Sequence, residues 1–257
     1  MKILIIISFC LFLVFQPTIA QQRHFITSGT VEFEKTINVY ALVKKQINKQ
    51  NENYMQSAYE QYKNTKPQFM KLKSVLTFTS ENTLFKAADE NSIGSVLPNL
   101  VPFIEQPNIV FTDLHNSTSI IQKRVYEKIF LLKDSIRKIT WKITDETREI
   151  AGYNCRRANA LIMDSIYVVA FYTDLIPVSA GPESFAGLPG MILGIALPHE
   201  NISWFATQVT ESPIPTHTLK PMIKGVPVNR KELETILEKK RMEFGNDTRF
   251  SLNPYLW

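Results

Sequence analysis

Cysteine is almost missing from this chain: two residues among 257, Cys10 and Cys155. Cys10 sits inside an apolar N-terminal run of the kind removed during export, so Cys155 is left without an intramolecular partner. A disulfide-stapled scaffold is thereby excluded, and the fold has to rest on its core. Histidine is scarce too, with four residues (His24, His115, His199, His217). No HxH, HxxxH, CxxC or HExxH spacing occurs, so neither a metal centre nor a cofactor is expected. There is no long apolar run beyond the N-terminus. Even the N-terminal one, Ile3 to Phe15, falls short of the ~20 residues that cross a bilayer, so no transmembrane span is expected after signal removal. Basic stripes interleaved with aromatic residues are lacking as well. The densest basic run, Lys239-Lys240-Arg241, follows Glu238 on an expected helix, and the formal net charge is only +5. Nucleic-acid binding is excluded on that ground.

What is present begins with an address. Lys2, the apolar stretch Ile3–Phe15 and Gln16-Pro17-Thr18-Ile19-Ala20 follow the grammar of a secretory signal peptide, with cleavage after Ala20. Residues 1–20 are assigned to that signal and residues 21–257 to a single β-rich domain, since no repeat or low-complexity linker divides them. Export places the protein in the periplasm, the outer envelope or the medium.

Strand patterning dominates the mature chain. Thr30–Thr36 alternates with Val31 and Phe33 inward. Further strands are expected from Met70 to Thr79, at Ile109–Phe111, at Ile120–Lys123 and from Tyr126 to Leu132. Ile139–Thr144 alternates most cleanly, with Ile139, Trp141 and Ile143 inward, and the acidic group Asp145, Glu146 and Glu149 reads as a polar turn after it. Asn154–Met163 and Ile166–Thr173 follow, joined by Asp164-Ser165 as a two-residue hairpin connection, and Ser203–Val209 comes last. The polar segment from Lys44 to Lys66 is either a surface helix or a mobile insertion. Asn229 and Glu232 make a capping box for an amphipathic helix over 229–245, with Leu233, Ile236, Leu237 and Phe244 on one stripe and Gly245 as its stop. The expected fold is β-rich α+β: an antiparallel, curved, half-barrel-like sheet with a C-terminal amphipathic helix and a polar helix near the N-terminus.

One stretch breaks the alternation. From Pro177 to Gly194, prolines 177, 182 and 189 preset φ, and glycines 181, 187 and 190 can supply φ > 0, before Met191–Leu193 re-enters the core. It is too short and too interrupted for a membrane span, and no Lys-Ser or Lys-Thr follows to make a phosphate loop. A buried corner is the reading left, with the apolar tip Leu188 also able to touch a ligand. Three blocks, Ile150–Ala158, Ala170–Pro182 and Phe185–Leu193, resemble the GLPGLI family, exported and largely uncharacterised proteins chiefly of the Bacteroidota. The specific likeness spans residues 139 to 209. Met191 replaces the leucine of the eponymous hexapeptide, and Phe171 stands where a tryptophan-like aromatic is expected. The resemblance implies export and a β-rich fold, and says almost nothing of activity.

For chemistry, Cys155 is the candidate reactive thiol. Arg156 and Arg157 beside it would favour a thiolate, but no partner base stands at a telling distance, and a lone strand cysteine packs in cores. No catalytic residue is assigned. Gly187, Leu188, Pro189, Gly190, Pro177, Gly181 and Pro182 form the candidate ligand or structural motif. The favoured function is an exported, non-enzymatic envelope protein that binds a hydrophobic ligand or a partner protein on its curved sheet. Two alternatives stand beside it: a thiol-dependent hydrolase or other enzyme using Cys155, and a purely structural interaction module of the envelope.

Overall fold

The computed structural model describes residues 24–87, 104, 107–125, 127–243 and 255. The signal peptide expected at 1–20, the helix stop at Gly245 and the helix-stripe residue Phe244 lie outside them. Twelve strands form one sheet: β1 (Gly29–Asn38), β2 (Phe69–Phe78), β3 (Asn82–Ala87), β4 (Ile109–Asp113), β5 (Thr118–Val125), β6 (Lys128–Ser135), β7 (Lys142–Ile150), β8 (Tyr153–Ile162), β9 (Ile166–Thr173), β10 (Met191–Leu197), β11 (Ile202–Glu211) and β12 (Val226–Val228). Among the described residues three α-helices accompany it: α1 (Val39–Gln46), α2 (Glu52–Thr65) and α3 (Arg230–Glu243).

The order across the sheet is β12-β6-β5-β4-β3-β2-β1-β11-β10-β9-β8-β7. It consists of two antiparallel meanders, β2 to β6 and β7 to β11. The first strand stitches them together, since β1 pairs antiparallel with β2 on one side and β11 on the other. The sheet is mixed rather than wholly antiparallel, because the short β12 adds to β6 in parallel. Among the described residues, β12 and β7 are its edges.

The sheet curls toward one face. Lys35 on β1 and Lys123 on β5 are both buried and share that face with Val31, Phe33, Ile37, Ile121 and Val125. Four strand spacings separate β1 from β5, roughly 19 Å in a flat sheet. The Glu183 carboxylate, buried as they are, attracts both lysines. On the same face lies the core, where Trp204, Phe33, Phe78 and Phe85 are the largest sealed side chains. α1 adds Leu42 and Val43, and α3 adds Leu233 and Leu237.

Helix starts follow local chemistry. Asn38 Oδ1 accepts from the Ala41 N–H at 3.1 Å and caps α1. At α3, the Glu232 N–H donates to Asn229 Oδ1 at 2.9 Å and the Asn229 N–H donates to Glu232 Oε2 at 2.8 Å. This is the reciprocal capping box expected of that spacing. Most of residues 44–66 is helical, in two helices separated at 47–51, the first of which begins at the buried Val39.

Several local expectations are corrected. The segment from Ile139 to Trp141 is irregular, and the strand that follows starts at Lys142 and runs to Ile150. Ile143 is 40% exposed, because β7 is an edge strand paired with β8 alone among the described strands and bulged between Ile143 and Thr147. Asp145, Glu146 and Glu149 are therefore strand residues, and the turn is Ala151-Gly152, both at positive φ. The β8–β9 connection has three residues, since Ile162 pairs with Ile166. Met163 and Asp164 take the left-handed conformations there. The strand expected over Tyr126–Leu132 is shifted to Lys128–Ser135. β3 escapes the sequence pattern altogether, because only Leu84 and Phe85 carry apolar signal and they are adjacent.

Candidate functional site

The connection between β9 and β10, residues 174–190, does not project into solvent. It turns back over the inner face of the sheet and is tied along its length. The Met191 N–H donates to the Ile176 carbonyl at 2.9 Å, and the Ile192 N–H to Ala180 at 2.8 Å. Ser179 Oγ accepts from the Gly187 N–H at 3.0 Å. From the other side Trp141 Nε1 donates to the Ala186 carbonyl at 2.9 Å. Ile176, Val178, Phe185 and Leu188 are sealed, each 2% exposed or less. Burying such side chains stabilises by about 1.5–3 kcal/mol apiece. Of the motif residues, Gly181, Pro182, Leu188 and Gly190 are buried, while Pro177, Gly187 and Pro189 reach the surface. The backbone explains two of the glycines. Gly187 has φ 95° and Gly190 φ 147°, and a Cβ on Gly190 would overlap the Thr173 carbonyl oxygen.

Glu183 lies in this connection, buried, and at φ 54°. A non-glycine residue in that region is uncommon and often marks a site where surrounding contacts hold the backbone. Asn108 Nδ2 donates to its Oε2 at 2.9 Å. Burial pushes the carboxyl above its usual range, opposed by the attraction of Lys35 and Lys123 and by the Asn108 hydrogen bond. The same competition acts on the lysines. Burial lowers Lys35 to about 8 against the pull of Glu183. It lowers Lys123 to about 8, where Arg137 and Arg230 add repulsion. Lys35 Nζ donates to the Ile104 carbonyl at 3.4 Å and stands 5.2 Å from the centroid of the Trp204 ring. In each case desolvation outweighs the ion-pair attraction. Thr83, Thr112 and Ser119 line the narrow space between this segment and strands β3 to β5. The interior of the curled sheet is thus filled, apolar at one end and charged at the other.

Beside the filled interior is an open cleft of about 470 Å³. Residues 135–140, from the end of β6 onward, form one wall, Leu161–Met163 at the β8–β9 hairpin another, and Arg230 and Glu234 of α3 the third. Ile136, Arg137 and Arg230 also line the interior space, so they partition it from the cleft. Leu161 is 59% exposed and Met163 38%, an apolar lip on an opening that also carries Arg137, Lys138, Arg230 and Glu234. Burial brings Arg137 down to about 10, with Arg230 repelling it and Glu234 opposing the shift. The Arg230 Nε is 3.8 Å from Asp134 Oδ2, and the reciprocal cap at Asn229 fixes the turn that carries it.

Cys155 lies elsewhere, on β8, and is fully buried. Its Sγ–H donates to the Tyr153 carbonyl at 3.4 Å, and burial pushes the thiol up to about 12. All four histidines are exposed; His24 bonds Glu211 at 2.7 Å and His199 lies against Tyr167. The thiol and an imidazole base are not brought together.

A family model described as "Protein of unknown function (Porph_ging)" matches residues 161–194. That stretch runs from the end of β8 through the segment 174–190 into β10. No curated protein matches the chain. Two solved structures of PNGF-II, in C2 and P21 space groups, superpose over 84% of this chain with TM-scores of 0.52 and 0.51 and identities of 14% and 15%. The chain spans about a third of PNGF-II, 33% and 34% of the two structures. An uncharacterized conserved protein from Thermus thermophilus aligns over 79% of this chain and 91% of its own at 4% identity, with a TM-score of 0.38. PNGF-II shares the β-rich fold. At such identity the likeness carries nothing about activity. No helix among the described residues is long and apolar enough to cross a membrane.

Glu183, Lys35, Lys123, Arg137 and Arg230 were not singled out in the sequence. A signal existed for two of them. The alternation that turns Val31 and Phe33 inward continues to Lys35, and the period through Ile121 reaches Lys123. Glu183 carries no such signal, because its burial depends on a loop folding onto distant strands.

Proposed function

We propose that this chain is an exported, non-enzymatic protein of the bacterial envelope, allied to the GLPGLI group, which binds a ligand with a hydrophobic part. The carrying observation is where the space lies. A hydrophobic ligand on the concave sheet face would have to displace Ile176, Phe185 and Leu188, which are sealed against it. The cleft between residues 135–140, the β8–β9 hairpin and α3 is open, and its volume of about 470 Å³ falls among ordinary small-molecule sites. Leu161 and Met163 give it apolar surface in reach of solvent. The motif 187–190 acts in this reading as the clasp of the interior and not as the ligand-contacting tip. An enzyme built on Cys155 is disfavoured by a sealed, protonated thiol.

The test is native mass spectrometry of protein taken gently from its own envelope, followed by organic extraction. A stoichiometric extra mass released as an amphiphilic small molecule is expected, on a chain that begins at Gln21. A reproducibly bare mass would remove the ligand-binding reading and direct attention to a protein partner.

A further inference from the structure

The cleft is chemically two-sided. Arg137, Lys138 and Arg230 are among the residues that line it, and the like charges of Arg137 and Arg230 repel. Its exposed lip carries Leu161 and Met163, and the half-buried Ile139 lines it further in. We infer that the cleft takes an amphiphile by an oxyanion (phosphate, sulfate or carboxylate) held between Arg137 and Arg230, with its alkyl portion along Ile139, Leu161 and Met163. This rests on the cleft being the ligand site.

The recognition follows from the donor geometry. A guanidinium offers a planar fork of N–H groups that matches two oxygens of one anion, and two arginines lining one cleft favour an oxyanion over a neutral head group. Bringing two like charges together at a partly desolvated wall costs free energy, and an anion between them turns that repulsion into two attractions. Asp134 stands 3.8 Å from Arg230 Nε, and Glu234 attracts Arg137. Arg230 also opens α3, whose dipole favours negative charge near its N-terminus. A wholly polar ligand would leave Leu161 and Met163 in water; a wholly apolar one would desolvate the guanidiniums for nothing.

The experiment uses the mature full chain and three probes, each below micelle-forming concentration: octyl phosphate, octyl glucoside and inorganic phosphate, titrated by calorimetry. Octyl phosphate is expected to bind about tenfold or more tighter than octyl glucoside, the worth of a charge-assisted contact. In Arg230→Gln that ratio falls to about one. Leu161→Ser weakens both octyl compounds together. Arg137 is more deeply set, so Arg137→Gln is read only if it melts like the parent; Arg230→Gln carries the decision otherwise. Equal affinity for the two octyl probes in the parent, or an unchanged ratio in Arg230→Gln, overturns the oxyanion. Inorganic phosphate binding as tightly as octyl phosphate overturns the amphiphile and assigns the site to a free anion. If neither octyl probe binds at all, the cleft itself is not the ligand site, and the proposed function fails with it.

Discussion

Lys35 and Lys123 put ammonium groups where the alternation of β1 and β5 calls for apolar side chains, and the consequence is measurable. An unfolded lysine keeps its proton to about pH 10.5, whereas these two lose theirs near 8. Between those values the unfolded chain binds more protons than the folded one, so stability rises with pH across that window. The urea midpoint is therefore expected to climb from pH 8 to pH 10, and to climb less in Lys35→Met. Parallel curves for the two proteins would show that burial does not govern Lys35. Cys155 gives a second test at this scale. With its thiol pushed up to about 12, only on the order of one molecule in ten thousand is thiolate at pH 8. Ellman's reagent is expected to leave the native protein unmodified for hours and to label it in seconds in urea; fast native labelling would revive the enzyme reading. Sequence period alone could place Lys35, Lys123 and Cys155 on strand faces. It could not supply Glu183, Asn108 or Trp204 around them, because those come from elements far away along the chain.

Among the elements, the 174–190 connection and α3 were the most legible, and for the same reason: their chemistry is local. Glycines at φ 95° and 147° and a reciprocal cap are written in a few adjacent residues. The two glycines nevertheless differ. Gly187 has open space around its Cα apart from the Trp141 ring, whereas Gly190 abuts the Thr173 carbonyl. Gly187→Ala is expected to cost about 1–3 kcal/mol through backbone strain alone. Gly190→Ala should cost clearly more and fail to accumulate as folded protein. Equal melting temperatures for the two variants would refute the clash. At α3, Asn229→Ala removes one half of the capping box and is expected to cost about 1 kcal/mol, seen as a lower urea midpoint with the sheet's circular dichroism unchanged. β7 departs from its own pattern in an instructive way. Ile139, Trp141 and Ile143 alternate as well as any inward strand, but the first two close the interior from an irregular segment and the third sits on an exposed edge. Alternation reports that apolar side chains share a side; it does not report whether a strand has one neighbour or two.

For the molecule as a whole, the curled sheet closes around one of its own connections. That makes residues 176–192 part of the global folding unit and not a mobile loop. Amide hydrogens of Met191 and Ile192, bonded to Ile176 and Ala180, are expected to exchange only by global unfolding, at the same free energy as those of β1. Exchange orders of magnitude faster would mean that the interior opens, and would return the concave face to consideration as a ligand site. The sequence by itself determined the β-rich class, most strands, the capped helix and the strained corner, since each depends on residues within a turn or a strand period of one another. Tertiary structure alone decided that β1 joins two meanders, that β12 runs parallel to β6, that the corner fills the concavity, and that Arg137 and Arg230 meet at a cleft. Those outcomes depend on which surfaces exclude water together across stretches of chain far longer than a turn or a strand period, and hydrophobic burial has no direction or address that a linear pattern can record.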